Sequence, residues 1–109
     1  MSNVATISER VAEGAAWLDS KRPGWHDDID LGLLDMTSTC LCVLGQVYAG
    51  AAGCNGFDYA GDLGAPVTTG GFDLPWHGPG TPANHAARLA EFGELDAAWR
   101  ALIEHRRAS

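Results

Sequence analysis

The chain has 109 residues, of which 46% are hydrophobic and 19% are charged, so it is long enough to bury a core and too apolar to be disordered. Its formal charge is −7 at pH 7, which argues against nucleic-acid binding because phosphates would be repelled. No apolar run approaches the ~18 residues that a membrane-spanning helix needs, and residues 1–10 lack the basic and apolar regions of a signal peptide. We therefore expect one cytoplasmic domain, residues 1–109, with neither nucleic acid nor membrane as a partner.

The negative charge is concentrated in the middle of the chain. Residues 1–22 and residues 88–109 each balance acidic against basic side chains, whereas residues 23–87 contain seven Asp and neither Lys nor Arg. A segment of this kind attracts a cation or a basic protein surface. Acidic loops that serve only solubility would show the same pattern.

The first helix is predicted over residues 7–21. Thr6 and Glu9 have the spacing of a capping box, in which hydroxyl and carboxylate each accept a bond from a free backbone amide. Apolar residues then recur at helical spacing, and Gly14 on the same stripe would permit another element to approach closely. The Pro-Gly pair at 23–24 ends the pattern.

The second helix is predicted over residues 39–49, capped by Thr37 or Ser38. Its residues are apolar nearly all round, which is typical of a buried central helix. Gly45 would allow tight packing against a neighbour. Gln46 is its one strongly polar side chain, and we expect the amide to bond to the backbone of a nearby loop, since a buried amide must find partners.

Residues 50–82 contain nine Gly and four Pro, so an irregular acidic segment is predicted, with at most a short β-hairpin of residues 67–69 and 72–74. The third helix is predicted over residues 83–106, with Pro82 favourable at its start. Five of its residues form an apolar stripe: Phe92, Leu95, Trp99, Leu102 and Ile103. The predicted fold is mainly α, with three helices around a core.

The three cysteines have three possible roles: a metal site, a redox site or part of the core. On a helix Cys40 and Cys42 would point about 200° apart and could not hold one ion, and a structural zinc site normally has paired cysteines and four ligands. An odd cysteine count at this spacing is not a disulfide framework, and a redox site would favour Cys-x-x-Cys. We predict reduced core thiols and no cofactor. The alternative is a zinc module using Cys40, Cys42, Cys54 and His77.

The predicted partner-binding residues lie within residues 23–87, the stretch that has no Lys or Arg. Trp25 and Trp76 are each followed by His within Gly/Pro-rich sequence, and a loop tryptophan can anchor an interface. Asp27, Asp28 and Asp73 would form a charged rim that steers encounter. The rival interpretation is that both rings cover the core. We predict no catalytic residues, because the chain has no nucleophile elbow, zinc-protease motif or phosphate-binding glycine loop.

Five stretches together resemble a group of short uncharacterised proteins from actinobacteria and their phages: RPGW (22–25), IDLGLLDM (29–36), CVLGQVY (42–48), GFD (71–73) and LDAAWRALI (95–103). The similarity covers most of the chain in the same order. In that group a second cysteine often stands three residues before the cysteine of CVLGQ, where this chain has Thr39 followed by Cys40. The resemblance therefore does not imply a shared metal or redox pair.

The resemblance carries no activity with it, but a phage context implies a small non-enzymatic protein that engages a host protein. Combined with the acidic middle, it predicts an interaction protein, a phage-encoded modulator that binds a host or cellular protein with a basic surface. A Cys/His zinc module is the alternative function, and a small hydrolase is third.

Overall fold

The computed structural model describes residues 6–38, 40–67, 69–73 and 81–108. The described residues contain no β-strand, and the mainly helical fold is as predicted. Along the described residues, five α-helices and two single 3₁₀ turns follow one another: α1 (Ile7–Lys21), a turn at Trp25–Asp27, α2 (Val43–Val47), α3 (Ala49–Ala52), a turn at Gly53–Asn55, α4 (Gly56–Asp62) and α5 (Pro82–Ala108).

Helix α1 has the predicted bounds, and its capping box is formed. The Thr6 hydroxyl accepts a hydrogen bond from the Glu9 amide at 3.1 Å, and the Glu9 carboxylate accepts one from the Thr6 amide at 3.1 Å. The bond from the Thr6 amide, and after it the Thr6 side chain, holds the pKa of the Glu9 carboxyl below its usual value. The inward face of the helix consists of Val11, Gly14, Ala15 and Leu18, which are all buried.

Helix α5 extends the predicted third helix by one residue at its start and two at its end. Leu95, Trp99 and Ile103 on the predicted stripe are fully buried, and the other two members of the stripe are partly buried against the core. The Trp99 ring stacks on Phe72 at 5.2 Å between centroids, and its indole N–H donates to the Gly71 carbonyl at 2.7 Å. Helix α5 therefore holds the loop before it against the core.

The second helix is shorter than predicted, and its expected start and cap are wrong. Helix α2 begins at Val43, and the Cys42 thiol caps it by accepting a bond from the Gly45 amide at 3.3 Å. The Ser38 hydroxyl accepts bonds from the amides of residues 40 and 41, both at 3.2 Å. A side chain bonded in this way competes with helical backbone bonds, so the chain makes a turn here first. As predicted, α2 is buried.

The segment predicted to be irregular contains a helix, α4, that packs on α2. A Cβ atom placed on Gly56 would lie 2.6 Å from the Leu44 carbonyl oxygen and 2.8 Å from the Gly45 Cα. The prediction that Gly45 lies at a helix crossing is confirmed, because two glycines meet there. No strand forms in the described part of the proposed hairpin. The amides of Phe72 and Asp73 instead both donate to one carbonyl, that of Val67.

The loop after α4 returns to α1 through a backbone contact. A Cβ atom on Gly14 would lie 2.0 Å from the Gly70 carbonyl oxygen, so only glycine fits at this point. Gly71, at φ +72°, is the next residue and packs against the Val11 backbone. The close approach predicted for Gly14 is thus confirmed, and it places Phe72 within the core. Within the described residues, no helix is both long and apolar enough to span a bilayer.

Candidate interaction groove

Trp25, a predicted surface anchor, is a core residue. Its side chain is fully buried and meets the Trp99 ring edge-on at 5.8 Å. Its indole N–H donates to an Asp19 carboxylate oxygen at 3.0 Å, so the one polar atom of the ring is satisfied inside the protein. The prediction that Trp25 contacts a partner is therefore wrong, and the rival interpretation of this ring as core is confirmed. Trp76 lies outside the described residues.

The three aspartates predicted to surround these tryptophans lie on two separate segments. Asp27 and Asp28 are exposed at the 3₁₀ turn, where Asp28 pairs with Arg22 at 3.8 Å. Asp73 is half-buried and pairs with Arg88 of α5 at 3.3 Å. With Trp25 buried, Asp27 and Asp28 have no aromatic anchor on their own turn.

The cysteines divide into a pair and a single thiol. Cys40 and Cys54 form a disulfide, which overturns the prediction of reduced core thiols at these two positions. Cys42 is buried as predicted, and burial raises the pKa of its thiol. The short helices α2 and α3 turn the chain back within 14 residues and so bring Cys54 beside Cys40. Counting cysteines and their spacing could not show this proximity.

The alternative zinc set loses two of its four members. The sulfurs of Cys40 and Cys54 are bonded to each other and cannot also act as thiolate ligands. His77 lies outside the described residues, and Cys42 is buried. Across the part of the chain that the structure describes, no group of three or more His, Cys, Asp or Glu side chains is placed to hold a metal ion.

An open groove of about 570 Å³ runs between the loop that precedes α2 and the first half of α5. Leu33 on the loop wall is 55% exposed and Leu89 on the helix wall is 52% exposed. The groove is lined by eleven residues: Gly32, Leu33, Leu34, Asp35, Met36, Thr37, Leu41, Leu89, Phe92, Gly93 and Asp96. Sequence reasoning missed this site, although Leu89 lies outside the buried stripe of α5 and Leu33 stands in a loop.

The loop wall of the groove is fixed to α5 by an arginine. Arg100 donates to the carbonyls of Leu31 and Leu34 and to the Asp96 carboxylate, each at 2.6 Å. The second carboxylate oxygen of Asp96 accepts from the Met36 amide at 3.3 Å. A planar guanidinium can bond in several directions at once, so one side chain determines the position of a loop that has no regular secondary structure.

Two further side chains hold the same loop from other directions. The Gln46 side-chain oxygen accepts from the Asp30 amide at 2.6 Å, and its NH₂ group donates to the carbonyls of Asp30 and Leu41 at 3.3 and 3.0 Å. This confirms the prediction that Gln46 binds loop backbone. Arg107, near the end of α5, donates to the Ile29 carbonyl. The loop is therefore held from α2 and α5 together.

The charge of the groove is negative. The hydroxyl and amide of Thr37 bond to one oxygen of Asp35, at 2.5 and 2.9 Å, and hold the pKa of this exposed carboxyl below its usual value. Asp30 lies beside the groove, where its carboxylate accepts a bond from the Gly32 amide at 2.9 Å. Among the described residues, no Lys or Arg lines the groove.

The groove has few polar side chains. Its polar side chains are Asp35, Thr37 and Asp96, of which Asp96 is already bonded to Arg100 and to a backbone amide. No Ser, Cys, His or Lys is among the described residues that line it.

Comparison of the chain with protein families, curated proteins and solved structures finds no match.

Proposed function

We propose that this chain is a small acidic, non-enzymatic interaction protein that binds another protein through the groove. The observation that carries the proposal is the pair of leucines, Leu33 and Leu89, each more than half exposed on opposite walls. Burying a leucine side chain is worth about 1.5–3 kcal/mol. Because both side chains are already nearly half covered, a partner that covers the rest would recover about half of this free energy at each. Exposed apolar surface with a polar rim is typical of interaction sites.

The nature of the partner follows from charge and from sequence resemblance. Residues 23–87 contain no Lys or Arg, and the loop wall contributes Asp30 and Asp35, so a partner with a basic surface is favoured. The stretches that resemble proteins of actinobacteria and their phages include IDLGLLDM, which forms the loop wall, and LDAAWRALI, which supplies Asp96 and Arg100. We propose a phage-encoded modulator that acts on a host protein.

Capture from an actinobacterial lysate tests the function. The parent protein should retain specific host proteins, and the double variant Leu33→Ser/Leu89→Ser should lose them at least tenfold in quantitative mass spectrometry. Leu63→Ser is the matched control, because Leu63 is a similarly exposed leucine, at 46%, outside the groove. Equal capture by the parent and by the double variant would contradict the proposal. Circular dichroism of each variant verifies that the helical content is unchanged.

A further inference from the structure

We infer that the occupant of the groove is a segment of the partner protein in which a large apolar side chain stands within a few residues of a Lys or Arg. This inference rests on the proposed function and specifies the chemistry of the partner.

The apolar part of the inference comes from the shape and lining of the groove. A volume of about 570 Å³ is within the ~300–1,000 Å³ of typical ligand sites and accommodates more than one side chain. Leu33 and Leu89 contribute apolar surface from opposite walls, and Phe92 adds an aromatic ring. Gly93 leaves the α5 backbone uncovered, since no atom lies within 4 Å of a Cβ placed there. An apolar side chain can therefore approach the helix closely.

The basic part of the inference comes from the carboxylates that remain unneutralised. Asp96 is already paired with Arg100 at 2.6 Å. Among the described residues, the Asp35 carboxylate bonds only to Thr37 and has no basic partner. Asp35 follows Leu33 on the same wall after one residue, so a partner that uses both must present its apolar and basic side chains near each other.

A second base near the groove, Arg88, does not reverse this polarity either. Arg88 stands one turn before Phe92, with its guanidinium carbon 5.0 Å from the centre of that ring. Its charge is matched by Asp73, 3.3 Å away. A second copy of this chain is a poor occupant by the same criterion, because two molecules of charge −7 repel each other.

The walls of the groove are ordered before any partner arrives. Arg100 and Gln46 already bond to the loop backbone on both sides of Leu33. Binding of a partner therefore costs little conformational entropy on this side of the interface. A short segment of a partner, with few contacts, can therefore bind measurably.

Selection from a random 12-residue peptide library displayed on phage, against the intact protein, tests the inference. Enriched peptides should place Leu, Ile, Met or Phe within four residues of Lys or Arg. The most enriched peptide, synthesised with a fluorophore, is then titrated by fluorescence polarisation. Gly93→Leu, which fills the groove, should weaken binding at least tenfold, whereas Gly61→Leu, at another helical glycine with open space around it, should not.

Charge is tested with the same peptide. Asp35→Asn should weaken binding about threefold to tenfold and reduce its dependence on salt, as the loss of one ion pair requires. Asp62→Asn, which removes an exposed carboxylate of α4 outside the groove, should change neither.

The possible failures separate the inference from the proposed function. Enriched peptides that are acidic or wholly apolar, or that bind Gly93→Leu as tightly as the parent, would overturn the inference, as would an absence of enrichment. The function would survive these results if lysate capture is still lost in Leu33→Ser/Leu89→Ser. A dimer in sedimentation equilibrium that Gly93→Leu disrupts would overturn the inference in favour of self-association.

Discussion

At the scale of single residues, Asp19 shows how an aromatic ring with a polar atom can be wholly buried. One oxygen of its carboxylate accepts two hydrogen bonds, from the Trp25 indole N–H at 3.0 Å and from Arg106 at 2.7 Å. Without an acceptor, the buried N–H would cost about 1–3 kcal/mol. The Arg106 hydrogen bond is the main reason that the pKa of the Asp19 carboxyl is lowered. Trp25, Asp19 and Arg106 thus connect the 3₁₀ turn, α1 and α5.

Asp19→Asn should make stability less dependent on pH in acid. A carboxyl whose pKa is lowered in the folded state stabilises the fold above its unfolded pKa, near 3.8, and loses this contribution as pH falls through the lower folded pKa. Asparagine keeps the acceptor oxygen but not the charge. At pH 7 the cost should be less than about 1 kcal/mol, because the Asp19 side chain is 44% exposed.

Urea unfolding at pH 7, 5, 3 and 2 measures this dependence. The free energy of unfolding should fall less between pH 5 and 2 for Asp19→Asn than for the parent. Asp62→Asn controls for the removal of one exposed negative charge. The same slope for Asp19→Asn and the parent would show that the bond to Arg106 has no part in acid stability.

At the scale of elements, the crossing of α2 and α4 depends on two glycines. Gly56 packs directly on the backbone of residues 44 and 45, a contact that no side chain could make. The Cys40–Cys54 disulfide joins the turn before α2 to the 3₁₀ turn before α4. Backbone contact and covalent bond therefore act on the same pair of short helices, neither of which would be stable alone.

Gly56→Ala should destabilise the protein by about 1–3 kcal/mol, because the new methyl group overlaps the Leu44 carbonyl and forces the helices apart. Gly61→Ala in the same helix is the matched control. No atom lies within 4 Å of its added Cβ, so its better helix propensity should stabilise the protein by up to about 1 kcal/mol. Thermal unfolding compares the two variants. A Gly56→Ala protein as stable as Gly61→Ala would show that α4 does not pack on α2.

Thiol titration should find one free cysteine in the denatured, unreduced protein and three after reduction. The cysteine outside the disulfide is Cys42, which is buried in the native state. Closing a loop of about 15 residues stabilises a fold by about 3 kcal/mol in the chain-entropy account, so a reductant should lower the free energy of unfolding by about this amount. Cys40→Ser/Cys54→Ser should show the same loss without reductant. Three reactive thiols in the unreduced, denatured protein would contradict the pairing.

At the scale of the whole molecule, the two charge-balanced ends of the chain neutralise part of its acidic middle. Arg22, at the end of α1, pairs with Asp28, and Arg88 of α5 pairs with Asp73. The charge that remains on the loop wall is that of Asp30 and Asp35, whereas Asp62 is exposed on α4, outside the groove. The charge counted along the chain located the acidic residues 23–87, whereas the folded structure decided which of their carboxylates pair with an Arg.

Local interactions explain which parts of the protein could be predicted. The bounds of α1 follow from its capping box and a 3.6-residue period, and the buried stripe of α5 follows from the same period. Gln46 could be assigned a backbone partner because an amide in an apolar helix must be satisfied. Each of these inferences uses residues that are close in the chain or a rule that holds in any fold.

Only the tertiary structure decided the burial of Trp25, the disulfide and the groove. Trp25 is buried because Trp99, 74 residues later, packs on its ring, and the loop wall exists because Arg100 reaches back 69 residues to the Leu31 carbonyl. Contacts of this length leave no periodic pattern in the sequence. The amino-acid sequence by itself therefore determined the main helices and their buried faces, whereas the binding surface depends on how those helices bring distant loops together.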